Sequence, residues 1–144
     1  MAEPTNMGAS VRARLQNLAK ERNQPFELLL TRYVLERLLY RLSNTAYRDR
    51  FLLKGAMLMA TWFDNPFRPT RDLDLLGFGD CDLGTVLSIF REVCAAEMND
   101  GVIFDVGALG FDRVRDDLEY GGLRSAYQGL CRRPIQTEAM GIIC

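Results

Sequence analysis

From Phe26 to Leu42 an apolar side chain returns at every fourth position, through Leu30, Val34 and Leu38, and Leu29, Tyr33 and Tyr40 widen the same stripe. That period fits the 3.6-residue turn of an α-helix, so the segment predicts a helix with one face in a core. Pro25 suits its first turn, Glu27 lies near the positive end of its dipole, and Ser43-Asn44-Thr45 ends it. Ahead of it, Val11, Leu15, Leu18 and Ala19 predict a shorter amphipathic helix carrying Arg12, Arg14, Lys20 and Arg22, closed by Asn23-Gln24-Pro25. A helix with so wide an apolar face needs other elements to cover it.

The rest of the chain alternates between the two periods. Phe51-Leu52-Leu53 predicts a short strand stopped by Lys54-Gly55, and Ala56 to Phe63 predicts a helix. After a loop through Asp64-Asn65-Pro66 and Arg68-Pro69-Thr70, Leu73, Leu75, Leu76 and Phe78 flank Asp72 and Asp74 in a strand that Gly77 and Gly79 close. Asp80 or Asp82 caps a further helix through Val86, Ile89, Phe90, Val93 and Cys94, which Asn99-Asp100-Gly101 stops before the strand Val102-Ile103-Phe104. Beyond that point the pattern fades: residues 112–119 are charged, Gly121-Gly122 reads as a turn, residues 123–130 alternate loosely, and residues 132–144 have no clear period. The expectation is one α/β domain over residues 1–144, with a helical portion at 8–50 and a mixed-sheet core at 51–130.

Composition narrows the chemistry. No histidine is present, which removes imidazole bases, the Ser-His-Asp and Cys-His nucleophile systems and every metal site with His ligands. Cysteines 81, 94, 131 and 144 form no C-x-x-C pair and read as reduced thiols. Residues 1–30 lack a secretory pattern and no apolar run approaches the ~18 residues of a membrane span, so cytoplasmic residence without a membrane partner is expected. The net charge of −1 hides an asymmetry: residues 1–71 carry 12 basic and 6 acidic side chains, residues 72–144 carry 6 and 13. Sixteen of the 18 cations are Arg, which pairs phosphate bidentately. A basic half joined to an acidic half suits a polyanionic substrate beside metal-binding carboxylates, and it equally suits helices salt-bridged to one another.

The residues that carry most chemistry are Gly55, opening a helix, and Asp72 and Asp74 on the strand after it. Alternation points both acids the same way, roughly 6.5–7 Å apart along the backbone, where they can hold one or two Mg²⁺ ions. A glycine turn opening a helix offers N–H groups and a positive dipole end to a phosphate, and Lys54 adds a point charge. With 11 Asp in 144 residues about one D-x-D pair arises by chance, and Asp80-Cys81-Asp82 is a second. What sets Asp72 and Asp74 apart is their place inside an apolar run, where an ionised pair is costly unless cations or donors compensate. Arg68 and Arg71 are candidate partners. Gly77-Phe78-Gly79 lacks the third glycine of a dinucleotide fingerprint, and Asp116, Asp117 and Glu119 read as a solvated cluster.

Asp49-Arg50-Phe51-Leu52-Leu53-Lys54-Gly55-Ala56-Met57-Leu58, with Arg68-Pro69-Thr70-Arg71-Asp72-Leu73-Asp74-Leu75, resembles the AbiEii-type nucleotidyltransferases, toxins of type IV toxin–antitoxin and abortive-infection systems. The resemblance implies a polymerase-β-like nucleotidyltransferase core preceded by N-terminal helices. It implies that Lys54, Gly55, Ala56 and Arg71 contact the nucleotide phosphates and that Asp72 and Asp74 bind Mg²⁺. The implied reaction moves a nucleoside monophosphate from an NTP to an acceptor such as a tRNA 3′ end, under the control of a cognate antitoxin. Family members have a third carboxylate on a later strand and a Lys in a helical C-terminal region. Glu138 is the one acid near the first of these, and the chain has no counterpart of the second, so a core truncated at its C-terminus is expected. The rival expectation is a catalytically incomplete module that binds RNA, a protein partner or a second copy of itself without transfer.

Overall fold

A computed structural model describes residues 6–62, 73–79, 82–114, 122–131 and 133–143. Two helices open the chain, α1 (Met7–Arg22) and α2 (Phe26–Ser43). Asn6 caps α1 by accepting from the Ala9 N–H at 3.0 Å, and Asn23 ends it in the left-handed conformation. Pro25 starts α2 by presenting its carbonyl to the N–H groups of Leu28 and Leu29. Then follow β1 (Phe51–Lys54), α3 (Gly55–Trp62), β2 (Leu73–Gly77), α4 (Leu83–Ala95), β3 (Ile103–Phe104), β4 (Gly110–Val114), β5 (Gly122–Cys131) and β6 (Arg133–Ile143). Of the two acids offered as the cap of α4, Asp82 makes the bond, to the Gly84 N–H.

The strands form one mixed sheet in the order β1-β2-β6-β5-β3, with β4 also on β5. β1 and β2 are antiparallel, β2 and β6 parallel, and the remaining pairs antiparallel. Helices α2 and α4 cover one face. Val34, Leu35, Leu38 and Leu42 of α2 meet Val86, Ile89, Phe90 and Val93 of α4 over Leu73 and Leu75 of β2, and Met57 of α3 joins them. Phe51 stands edge-on to Phe90 with ring centroids 5.2 Å apart. The stripe at four-residue spacing is therefore the core face of α2, as its period requires.

Three stretches differ from the sequence expectation. Residues 133–143, without period, form the longest strand of the sheet. The reason is position: β6 is paired on both edges, to β2 and to β5, and such a strand is held by two ladders rather than selected by alternation. Gly110–Val114, at the start of the charged stretch, is a strand on β5, and Gly122 begins β5 rather than turning the chain. Charged residues are ordinary on short strands at a sheet margin.

α4 ends at Ala95, before the Asn99-Asp100-Gly101 expected to stop it, and that loop has another role. Tyr33, Arg37 and Arg41 recur at one face of α2 and all three reach this loop. Arg41, with its side chain 1% exposed, donates to both Asp100 carboxylate oxygens at 3.0 and 3.3 Å and to the Val102 carbonyl at 2.8 Å. Its guanidinium lies 4.5 Å from the centre of the Phe104 ring, while its Nε is buried without a hydrogen-bond partner. Arg37 donates to Asp100 Oδ2 at 2.9 Å, the Tyr33 hydroxyl to the Asp100 carbonyl at 2.8 Å, and the Val102 N–H to Asp100 Oδ1 at 3.0 Å. Gly101, at φ +78°, sits against α1: a Cβ built on it would fall 3.0 Å from the Gly8 Cα. One loop thus fastens both N-terminal helices to the sheet. Among the described residues no helix is long and apolar enough to cross a membrane.

Candidate functional site

β1 runs directly into α3, and the residue at the junction is Gly55. Its φ of +73° lies in the left-handed region that glycine enters without strain. The antiparallel register of β1 and β2 runs from Phe51 opposite Gly77 to Lys54 opposite Asp74, so the junction arrives beside the acid. The approach is close. A Cβ built on Gly55 would fall 2.7 Å from Asp74 Oδ2 and 3.4 Å from its Cβ. Glycine is needed here twice over, for its backbone conformation and for the space that the carboxylate occupies.

Strand alternation decides which way this pair faces. Leu73 and Leu75, 0% and 1% exposed, point into the core under the helices. Asp74 and Leu76 between them are only half-buried, on the opposite face. On β1, Phe51 and Leu53 pack against the core, which leaves Leu52 and Lys54 on the face of Asp74. Lys54, Gly55 and Asp74 therefore meet on the side of the sheet that α2 and α4 leave open. Ala56 is the second residue of α3, and the N-terminal end of that helix brings its positive dipole end to the same place. A hard carboxylate oxygen with a bare backbone against it suits an oxygen-seeking cation such as Mg²⁺, and lysine with a helix N-terminus suits a phosphate.

The other predicted site residues fall differently. Asp72 and Arg71, like Arg68, lie outside the described residues. Glu138 lies on β6, the strand next to β2: Gly141 pairs with Asp74, and Glu138 is three positions earlier, about 10 Å of strand. It pairs with Ala126 across a register shift in the β5–β6 ladder. Among the described residues no three His, Cys, Asp or Glu side chains converge as a metal cluster. Cys94 takes no part: it is free and buried in the core, and burial pushes its thiol up to about 12, which keeps it protonated and unreactive at neutral pH.

Two cavities open along α1. One, of about 460 Å³, lies between its N-terminus and Met98, Asn99 and Val102, and the other, of about 520 Å³, lies by Lys20, Asn23 and Phe26. Among the described residues neither is lined by an acid, so neither competes with the sheet face for cation chemistry. What sequence reasoning missed at that face is its apolar part. Leu52 and Leu76 form the next rung beside Lys54 and Asp74, and the period of two could have found it.

A helix-backed mixed sheet, with an acid, a lysine and a glycine-opened helix on the face that α2 and α4 leave open, makes this a mixed helix-and-strand domain. The chain belongs to the AbiEii family: the family model for the nucleotidyl transferase AbiEii toxin of type IV toxin–antitoxin systems matches residues 37–139. That span takes in the β1–α3 junction, β2 and most of β6. No curated protein matches the chain.

Proposed function

We propose that the chain transfers a nucleoside monophosphate from an NTP to an acceptor, and that the end of β1, the start of α3 and β2 form the site. The observation that carries this is the rung of Lys54 and Asp74 closed by Gly55, with a built Cβ 2.7 Å from the carboxylate. The core around it is read as polymerase-β-like. Gly55, Ala56 and Lys54 hold the triphosphate, with Arg71 beside it, and Asp72 and Asp74 hold Mg²⁺, with Glu138 as a third carboxylate. When bound, the ion neutralises charge on the phosphate oxygens and on the departing pyrophosphate. An acceptor hydroxyl oxygen bonds to the α-phosphorus, the bond from that phosphorus to the pyrophosphate oxygen breaks, and the hydroxyl proton passes to a carboxylate of the site or to water. A tRNA 3′ end is the acceptor proposed, in a cytoplasmic setting, with a cognate antitoxin as the protein partner.

The test is transfer of label from each α-labelled NTP into total tRNA and into protein with Mg²⁺ present. Wild type is compared with Asp74→Ala and with the Asp72→Ala/Asp74→Ala pair. Incorporation that falls by about 100-fold or more in both variants, as when a group stabilising the transition state is removed, is the expected result. No incorporation above the double variant, from a chain whose circular dichroism is that of a folded protein, would overturn it in favour of a module that binds without transfer.

A further inference from the structure

Asp74 and Lys54 are one rung of a ladder that continues along the open face. The next rung is Leu52 opposite Leu76. Beyond it the Phe78 N–H donates to the Arg50 carbonyl at 2.8 Å, which carries the antiparallel pairing one residue past Gly77, and the Arg50 Nε donates back to the Phe78 carbonyl at 3.2 Å. Exposure alternates through residues 73–78 so that Asp74, Leu76 and Phe78 share a side. On that side, then, β2 and the residue after it read Asp, Leu, Phe, and β1 with the residue before it reads, in the same rung order, Lys, Leu, Arg.

This is not how a solvated face is composed. A sheet with one face in water alternates apolar inward with polar outward, and edge strands such as β1 favour charge outward. Here Leu52 is 56% exposed and Phe78 50% exposed, Leu52 opposite Leu76 one rung from the carboxylate and Phe78 a rung further on, diagonal to Leu52 and opposite Arg50. Single exposed apolar residues need no explanation, but a flat apolar strip that starts at a charged site does. The strip is the Leu52–Leu76 rung with Phe78 beyond it and Arg50 at the fourth corner, about 5 Å by 7 Å in strand spacings, the size of one planar ring system. It is far below the ~800 Å² that a stable protein–protein interface takes from each partner. Its place is as telling as its size. In a nucleotide one sugar separates phosphate from base, and one rung, about 7 Å, separates the Lys54–Asp74 pair from the strip.

We propose that Leu52, Leu76 and Phe78 are the platform on which the base of the nucleoside triphosphate lies while its phosphates sit at Lys54, Gly55 and Asp74. This rests on the nucleotidyl-transfer reading above and adds the residues that hold the base. The contact is made to the flat face of the base, which all four bases share, so the platform contributes affinity and orientation with little choice among bases. Arg50, bonded through its Nε to the Phe78 carbonyl, fixes the backbone that presents the ring. Phe78 and Leu52 are thus specificity determinants for nucleotides over bare polyphosphate.

Calorimetric titration with Mg²⁺ present, using the four NTPs and inorganic tripolyphosphate as probes, tests this on the full chain and on Leu52→Ser and Phe78→Ala. Each substitution is expected to weaken all four NTPs by about 10-fold, the order of one stacked contact, and to leave tripolyphosphate binding unchanged. Phe78→Tyr, which keeps the ring, is expected to retain wild-type NTP affinity. Unchanged NTP affinity in Leu52→Ser and Phe78→Ala would overturn the platform, and so would an equal loss for tripolyphosphate. A change of oligomeric state in the variants by sedimentation would also overturn it, because the strip would then be a contact between copies. If wild type binds neither NTP nor tripolyphosphate, the transfer reading itself fails, an outcome distinct from the loss of the platform alone.

Discussion

Gly55 lacks the Cβ that every other residue type carries, and the position uses that difference in two ways. In Gly55→Ala the new methyl group would sit 2.7 Å from Asp74 Oδ2, on a backbone at φ +73°. The carboxylate has to swing away or the strand has to part from the helix. Holding a non-glycine residue in the left-handed region adds of the order of 1–3 kcal/mol. We expect Gly55→Ala to lower the free energy of unfolding in denaturant by about that amount and to weaken tripolyphosphate binding as well. A variant as stable as wild type, with binding intact, would mean that Asp74 is not held by the glycine. Asp74→Asn offers the contrast: it keeps the shape, removes the charge, and should lose Mg²⁺-dependent binding with little change in stability.

At the scale of elements, the three-residue clamp of α2 on Asp100 decides how the N-terminal helices meet the sheet. Asp100 is 7% exposed and holds two guanidinium groups, but they are not equivalent: the Arg41 side chain is 1% exposed and that of Arg37 is 26% exposed. Removing one partner from a buried pair leaves a charge in a place that water cannot reach, at a cost of about 3–5 kcal/mol, while a rim pair contributes about 0–1 kcal/mol. Arg41→Ala is therefore expected to approach the unfolding limit and Arg37→Ala to stay near wild type, both read from denaturant midpoints. Equal losses would show that the clamp is a surface network. The helices themselves were legible from the chain because their signals are local: a four-residue stripe, a proline, a capping Asp82. The clamp was not, because Tyr33, Arg37 and Arg41 reveal nothing until Asp100, 59 residues beyond Arg41, is brought to them. The site divides the same way. Lys54-Gly55 announces a turn and Asp74 is conspicuous as an acid among leucines, but that the turn lies against the acid follows only from the register of β1 on β2.

For the molecule as a whole the decisive element is the one with the faintest sequence signal. β6 lies between β2 and β5 and, among the described residues, is the one link in the sheet between the β1–β2 pair, which carries the candidate site, and the β5 side of the sheet. Its register sets Leu73 to Leu76 of β2 against Met140 to Ile143, a pairing that joins residues 67 positions apart in the chain. Contacts so distant in sequence form late and are costly in loop entropy, so they hold only when the whole sheet is in place. α2 and α4 can pack on one another without it, since their contacts are made through Val34, Leu38, Val86 and Phe90. Deleting residues 133–143 is expected to remove the cooperative thermal transition while leaving helical circular dichroism, because the helices lose the sheet they cover but not their own hydrogen bonds. A total stability of about 5–15 kcal/mol for a domain of this kind cannot absorb the loss of a strand paired on both edges. A truncated chain that still melts in one sharp transition, and still binds tripolyphosphate, would show that β1, β2 and α3 form the site without the strand that joins them to the rest.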